Sequence, residues 1–459
     1  VKIKFIFLLP VLLLCSVTFS GAADFNVKDF GAAGDGISLN TGPIQAAIDS
    51  CALSGGRVVI PAGTFLTGSL YLRSNVTLWL DPGAVLLGSP RLEDYSLHDP
   101  EYPSYADHYV CRSLIYAEGE TNIGISGQGT LNGNGGSPSF RTERPEYKSR
   151  PYVIRLVSCR DVHISQVHMV GSAMWMQHYQ DCERVFIRGI RVYNHSNYNN
   201  DGMDIDGCRD VIISGCIIDS SDDGICLKST GLSPCENISI SDCIVSSHVN
   251  AFKCGTESIG GFRNITISNC IVKPSADRRV PTLNGYIEGE SGIALEIMDG
   301  GTMENVLVSG LVIDSVKTPL FIKLGNRGRK HREDADRPGP GTMRNIRISN
   351  VSATHASALC SSITGFPDHY AENISLSDIY ISCLGGGTKE DLDREPDDDE
   401  TGYPWPGMFG TQLPAYGLYV RHVRGLYMDR IRFELLSPDP RPACHFEDVE
   451  DLSTDKPQL

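Results

Sequence analysis

The sequence predicts an all-β fold: a single-stranded, right-handed parallel β-helix (a solenoid) with an N-terminal capping helix. Two observations carry this. A short motif recurs along most of the chain, in which a polar residue precedes Val/Ile-x-Ile-Ser and then Gly, Asn or Asp: "RDVHISQV" from 160, "ERVFIRGI" from 183, "RDVIISGC" from 209, "ENISISDC" from 236 and "RNITISNC" from 263. Its apolar anchors Val162, Val185, Val211, Ile238 and Ile265 advance in steps of 23, 26, 27 and 27 residues. Units of this size alternate with period 2, show no helical periodicity and cannot bury their apolar faces alone, whereas stacked coils can. Propeller blades need ~40 or more residues each, so the step length argues against that architecture. Handedness follows the general rule for parallel crossovers.

Each segment follows from its composition. Residues 1–23 carry two lysines, an apolar run and then small residues, the pattern of a secretory signal peptide cleaved near Ala22 or Ala23. "IQAAIDSCALSGG" (44–56) is the one convincing amphipathic helix and is placed over the open end of the solenoid. Residues 24–445 form one β-helical domain, with further anchors at Ile123, Val306, Ile346, Ile374 and Leu426. The long steps place insertions rich in Gly, Pro and charge around 132–150, 273–290, 325–341 and 385–415, where solenoids carry binding loops. Residues 446–459 read as an acidic, solvated tail. The cysteines Cys159, Cys182, Cys208 and Cys235 precede strand-like runs, and Cys216, Cys243 and Cys270 follow them. In-register spacing reads most of them as small buried residues rather than a disulfide framework, with one or two disulfides left open. Asn-x-Ser/Thr recurs at Asn237, Asn264, Asn350 and Asn373, but it falls on the repeat, so these asparagines read as turn residues.

The formal net charge of −16 argues against a nucleic-acid binder, because phosphate affinity comes from Lys and Arg. Beyond the leader no segment is long and apolar enough to cross a bilayer, and the mature protein is expected to be exported, to a periplasm or beyond, and monomeric. The chemistry concentrates in two stretches, "NNDGMDIDGC" (199–208) and "SDDGICLKS" (221–229). Aligned with "HVNAFK" from 248, they put Asp201, Asp223 and His248 in one column, and Asp206, Lys228 and Lys253 in an outward one. Neighbouring coils lie ~4.8 Å apart, so Asp201, Asp222, Asp223 and His248 should form a small patch. Like charges this close raise one another's pKa, and a carboxyl that keeps its proton beside others that lose theirs suits glycoside hydrolysis. A cation site is the alternative for such a cluster, disfavoured by the in-phase His and Lys, and no metal or cofactor is expected.

Repeat and acid motifs together resemble glycoside hydrolase family 28, the polygalacturonases and rhamnogalacturonases, as do "VKDFGAAGDG" (27–36) and the coils of 55–89. The family's Asn-Thr-Asp, Gly-Asp-Asp and Gly-His-Gly stand here as Asn199-Asn200-Asp201, Ser221-Asp222-Asp223 and Ser247-His248-Val249. The resemblance implies inverting hydrolysis of α-linked galacturonic acid chains in acidic pectic polysaccharide or oligosaccharide. It makes Asp222 the general acid, assigns the water to Asp201 and Asp223, and gives His248 a supporting role. Asn199, Lys228, Lys253, Lys323 and Trp175 are the expected substrate-binding residues. The family's Arg-Ile-Lys, which grips a substrate carboxylate, is replaced in "GIALEIM" (292–298) by Ala294 and Glu296, so the lysines would supply the positive charge. A β-helical polysaccharide lyase and a non-catalytic carbohydrate-binding solenoid remain the alternatives.

Overall fold

The computed structural model describes residues 23–105, 111–140, 150–277, 282–283, 286–397, 399–410 and 412–454. Residues 1–22, which hold nearly all of the expected signal peptide, lie outside this set.

The chain winds as a right-handed parallel β-helix, and its strands pair coil to coil in one large parallel sheet system. Every repeat anchor stands in register with the next. Ile123, Val162, Val185, Val211, Ile238, Ile265, Val306, Ile346, Ile374 and Leu426 form one continuous stack, extended by Leu452. The residue before each anchor explains the polar half of the motif. Asn122, Asp161, Asp210, Asn237, Asn264, Asn305, Asn345 and Asn373 all have φ between 53° and 58°, the left-handed region that short polar side chains tolerate best. Their side chains also pair between coils: Asn264 Nδ2 donates to Asn237 Oδ1 (3.0 Å), and Asn305 Nδ2 to Asn264 Oδ1 (3.1 Å). The asparagines of the recurring Asn-x-Ser/Thr motif are therefore structural turn residues.

The capping helix α1 (Thr41–Ala52) begins three residues before the expected start, with Pro43 in its first turn. It buries Ile44, Ala47, Ile48 and Cys51 over the first coils. At the far end the acidic tail is corrected. Cys444–Thr454 is a strand of the last coil, paired in parallel with Leu418–Leu435. Its acids alternate with Phe446, Val449 and Leu452 and meet bases on the neighbouring strand: Arg424 with Glu450 (2.6 Å), Arg421 with Glu447 (3.3 Å) and His422 with Asp448 (2.6 Å). This run of charges at solenoid spacing forms a pairing edge, and its acids remain largely exposed to solvent.

The fourteen cysteines among the described residues are free thiols, all but Cys444 buried. Cys182 N–H donates to Cys208 Sγ, and Cys243 N–H to Cys270 Sγ, so the stacked thiols serve as small core residues that also satisfy backbone donors. No helix among the described residues is long and apolar enough to cross a membrane.

Candidate active site

The site lies on the outward face of one sheet, on the strands Met203–Asp206, Ile225–Ser229, Asn250–Ser258 and Gly289–Ile297. Met203, Ile225, Phe252 and Ile293 stack inward, and alternation turns their neighbours outward. The Asp-Gly pairs open two of these strands for a packing reason. A Cβ at Gly202 would lie 2.4 Å from Ile218 Cγ2, and one at Gly224 would lie 2.4 Å from Val245 Cγ1. Only glycine lets the chain turn this tightly onto the core, and the preceding aspartates are held at the strand mouths.

The register differs from the expected one. Asp201, Asp223 and Asn250 share a column, since Gly202 N–H donates to Asp223 O and Gly224 N–H to Asn250 O. His248 sits two residues earlier in the turn. Lys253 stands beside Asp204 and Cys226, while Lys228 stands beside Asp206. The step here is 27 residues, the same as between neighbouring anchors. After Cys254 a bulge shifts the pairing, from Leu227↔Cys254 to Ser229↔Ser258.

One carboxylate oxygen from each of Asp201, Asp222 and Asp223 lies within 4.8 Å of the others. This is closer than the ~6.5–9.5 Å carboxyl separation expected of a simple inverting pair. Each acid has distinct partners. Asp223 Oδ1 accepts from Asn250 Nδ2 (2.7 Å), and Oδ2 faces Lys253 Nζ at 2.9 Å. Asp222 accepts from Asp223 N–H (3.0 Å) and from Asn199 Nδ2 (3.4 Å). Asn199 is itself held by Arg150, which also donates to Tyr198 O. Asp201 Oδ2 lies 3.6 Å from Lys228, and its buried Oδ1 accepts no hydrogen bond from the protein. Lys228 also faces Asp204 (3.3 Å) and Glu257 (4.0 Å).

These surroundings separate the protonation states. Burial, then the neighbouring Asp223, pushes Asp222 up to about 6. Burial alone would raise Asp223 as well, but Lys253 and Lys228 outweigh it and hold it below the usual carboxylate value. Burial, with Asp204 and Asp222 adding to it, lifts Asp201 well above that value. The cluster therefore carries both a proton and a negative charge. The two ammonium groups occupy the place of the positive charge that a bound cation would bring, so the donor set does not fit a metal site.

The other expected residues fall into place differently. Lys228 and Lys253 are buried counter-ions of the acids rather than free grips for a substrate carboxylate. Trp175 is 5% exposed, and its ring carries Lys228 Nζ 4.6 Å from the centroid, so it seats that lysine and offers no open face to a sugar. His248 is half-buried, with its ring 4.9 Å from that of His195, which sits between Asp219 (2.8 Å) and Asp277 (3.1 Å). Lys323 is fully buried two coils past Lys253, in register with Glu296, and donates to Gly365 O (3.5 Å).

Asp204, Asn250, Glu257 and Tyr403 were missed. Parity within "DGMDID" points to Asp204, and the 27-residue step points to Asn250. Tyr403 Oη lies 3.3 Å from Lys253 Nζ, and nothing local marks it. Arg327 and Arg329, in the insertion expected around 325–341, pair with acids bordering the site. Arg327 pairs with Asp299, and Arg329 with Glu257 (2.9 Å) and the ring of Tyr105 (4.7 Å).

Fold and site together define a parallel β-helix protein with a carboxyl-based acid–base centre. The chain belongs to glycosyl hydrolases family 28, whose sequence model matches residues 57–394. It is 34% identical over 219 residues to a probable polygalacturonase of Vitis vinifera, an alignment covering 44% of each chain. It is 43% identical over 118 residues to an exo-poly-α-D-galacturonosidase of Dickeya chrysanthemi, covering 24% of this chain and 19% of that one. The chain thus spans less than half the length of these relatives. Among solved structures, a hyperthermoactive exopolygalacturonase from Thermotoga maritima superposes with a TM-score of 0.65 at 25% identity, over 79% of this chain and 87% of that one.

Proposed function

We propose that the protein is an exported glycosidase that hydrolyses α-linked galacturonic-acid-containing pectic chains from one end. The carrying observation is the split within the acid cluster, where Asp222, at about 6, sits beside Asp223, which is held ionised. Asp222 protonates the departing glycosidic oxygen. Asp223, with both oxygens held by Asn250 and Lys253, is suited to orient and deprotonate water rather than to attack the sugar. Asp201 Oδ1 supplies a second contact for that water. The close carboxyl spacing alone would suit a retaining pair at ~5–5.5 Å. The pinning of Asp223 favours water as the attacking group, and hence inversion. Pectic specificity is drawn from the family and the named relatives, and export from the composition of residues 1–23.

End-wise action is supported by the inserts. Met408, Phe409, Leu413 and Ala415 pack with Ala294, Phe321 and Tyr419 in an apolar cluster separate from the solenoid core. Ala294 and Phe321 are the next outward positions after Lys253, so this insert covers the sheet face directly beyond the acids. A chain lying along the sheet would have to stop there. Incubation with defined oligogalacturonides, read by product profiling, tests both points. Release of one short product from the start of the reaction is expected; a broad ladder of early products would overturn end-wise action, and no cleavage of any pectic oligosaccharide would overturn the substrate class.

A further inference from the structure

Three buried groups near the acid cluster take no part in the reaction proposed for it: His195, Asp219 and Asp277. Their place follows from the register. Arg191–Asn194, Ile217–Ser220 and Ile244–Ser247 are stacked strands, with Asn194 paired to Ser220 and Ser220 to Ser247. The ladder runs one residue further, since Ser221 N–H donates to Asn194 O (3.0 Å) and His248 N–H to Ser220 O (3.2 Å). His195, Ser221 and His248 therefore hold the same position in three successive coils. At the usual strand spacing the outer two backbones stand about 9–10 Å apart. Their ring centroids are only 4.9 Å apart, so the imidazoles lean toward each other over the small side chain of Ser221.

His195 is gripped from both sides. Nε2 lies 2.8 Å from Asp219 Oδ1, and Nδ1 lies 3.1 Å from Asp277 Oδ2. Only the doubly protonated imidazole can offer a proton to each carboxylate. Asp219 is fixed in turn: it accepts from Ser275 Oγ (2.5 Å) and Ala276 N–H (2.9 Å), while Ser275 Oγ accepts from Asp277 N–H (3.0 Å). Burial would raise Asp219, but the hydrogen bonds from His195, Ser275 and Ala276 outweigh it and hold it below the usual carboxylate value. The ring of Tyr193 packs 4.7 Å from that of His195. A buried, charge-assisted clamp of this kind fixes the plane of a ring as well as its position. His248 is half-buried, and its turn is bonded to the one that carries the acids: Ser247 Oγ donates to Asp222 O (2.6 Å) and accepts from Val249 N–H (2.9 Å). Those bonds place the backbone of His248, and its ring packs on the clamped ring of His195.

We propose that His195 is a positioning residue for hydrolysis: clamped by Asp219 and Asp277, it fixes the ring of His248 at the edge of the acid cluster. Residues 275–277, at the root of an insertion, are thereby built into the active site. The inference rests on the glycosidase reading, in which His248 supports the acids.

The first test needs no substrate. With the full chain isotopically labelled at histidine nitrogen, NMR should give one sharp set of ring signals for His248, and His195→Gln should broaden or double that set. Asp277→Asn, which keeps the shape of the clamp and removes one charge, should do the same to a smaller degree, and it decides the matter if His195→Gln does not fold. Unchanged His248 signals in a folded variant overturn the proposal. The second test is a kinetic cycle on an oligogalacturonide. His195→Gln should lower kcat about 10–10²-fold with KM within about twofold, because a misplaced group costs rate more than binding, and Asp277→Asn should show the same pattern more weakly. In a His248→Ala background His195→Gln should cost less than about twofold, because it acts through His248. Equal losses in both backgrounds, or a loss confined to KM, overturn the proposal. Absence of cleavage by the wild type would instead overturn the pectic reading, and the ring signals would then decide the clamp on their own.

Discussion

Lys253→Met separates two roles for the lysine that look alike in the sequence. Lys253 Nζ stands 2.9 Å from Asp223 Oδ2, and both side chains are buried. At an effective dielectric of ~20, that pair is worth about 6 kcal/mol of gross Coulomb energy. Removing the ammonium leaves Asp223 beside Asp201 and Asp222 with only Lys228 to oppose burial, so its pKa should rise from below the usual carboxylate value to above it. A smaller share of molecules then holds the base ionised at mildly acidic pH, and kcat should fall by ~10²-fold with KM little changed. Stability should follow. In the wild type the depressed pKa stabilises the fold above the unfolded value, and that contribution is lost as pH falls through the folded one. In the variant the folded pKa is the higher one, so its contribution is present at low pH and lost as pH rises through it. The Tm gap between the two proteins should therefore be small near pH 4 and widen toward pH 8. Steady-state kinetics on an acidic oligosaccharide and a thermal melt series decide the matter. A raised KM with unchanged kcat, and a Tm gap independent of pH, would return Lys253 to substrate binding and refute the assignment of Asp223 as the pinned base.

Four further outcomes are expected. Asp222→Asn should cost 10²–10⁴-fold on a natural linkage but spare an activated aryl glycoside, whose leaving group needs no proton; equal losses on both would remove Asp222 from the acid role. With Asp222 raised to about 6, kcat/KM should decline as pH rises through that value, and Asp222→Asn should abolish this limb of the profile. Proton NMR of the first product should show the anomer opposite to the substrate; the same anomer would make one aspartate a nucleophile. Asn264→Val puts a β-branched residue at φ 56° and breaks the Asn237–Asn264–Asn305 contacts, so it should lower stability by about 1–2 kcal/mol in a denaturant melt without changing kcat.

The sequence was most legible where one residue obeyed one local rule. The anchors from Ile123 to Leu426 could be read because each coil needs an inward Val, Ile or Leu after a residue that tolerates positive φ. Asp201, Asp222 and Asp223 could be read because two Asp-Gly pairs recur one coil apart. Legibility failed where coil length varies. The step from Asp201 to Asp223 is 22 residues and that from Asp223 to Asn250 is 27, so spacing from the neighbouring motif puts His248 and Lys253 two residues out of register. It failed completely where placement depends on how an insert returns. Tyr403 reaches Lys253 across 150 residues because Phe409 and Leu413 find Ala294 and Phe321 on the sheet, a contact that neither segment announces. Yet Ala294 and Glu296 were visible as departures at the place where the family grips a carboxylate. The two observations explain each other: small Ala294 leaves room for the apolar seat on which the insert rests, and Glu296 takes up the second side of Lys253. If so, Ala294→Arg should do more than add a charge. It should unseat the 399–410 insert, expose Phe409 and open the sheet face beyond the acids. Limited proteolysis within the insert together with a broader early product ladder would show that pocket and specificity are one device; an intact insert and an unchanged product profile would show that they are separate.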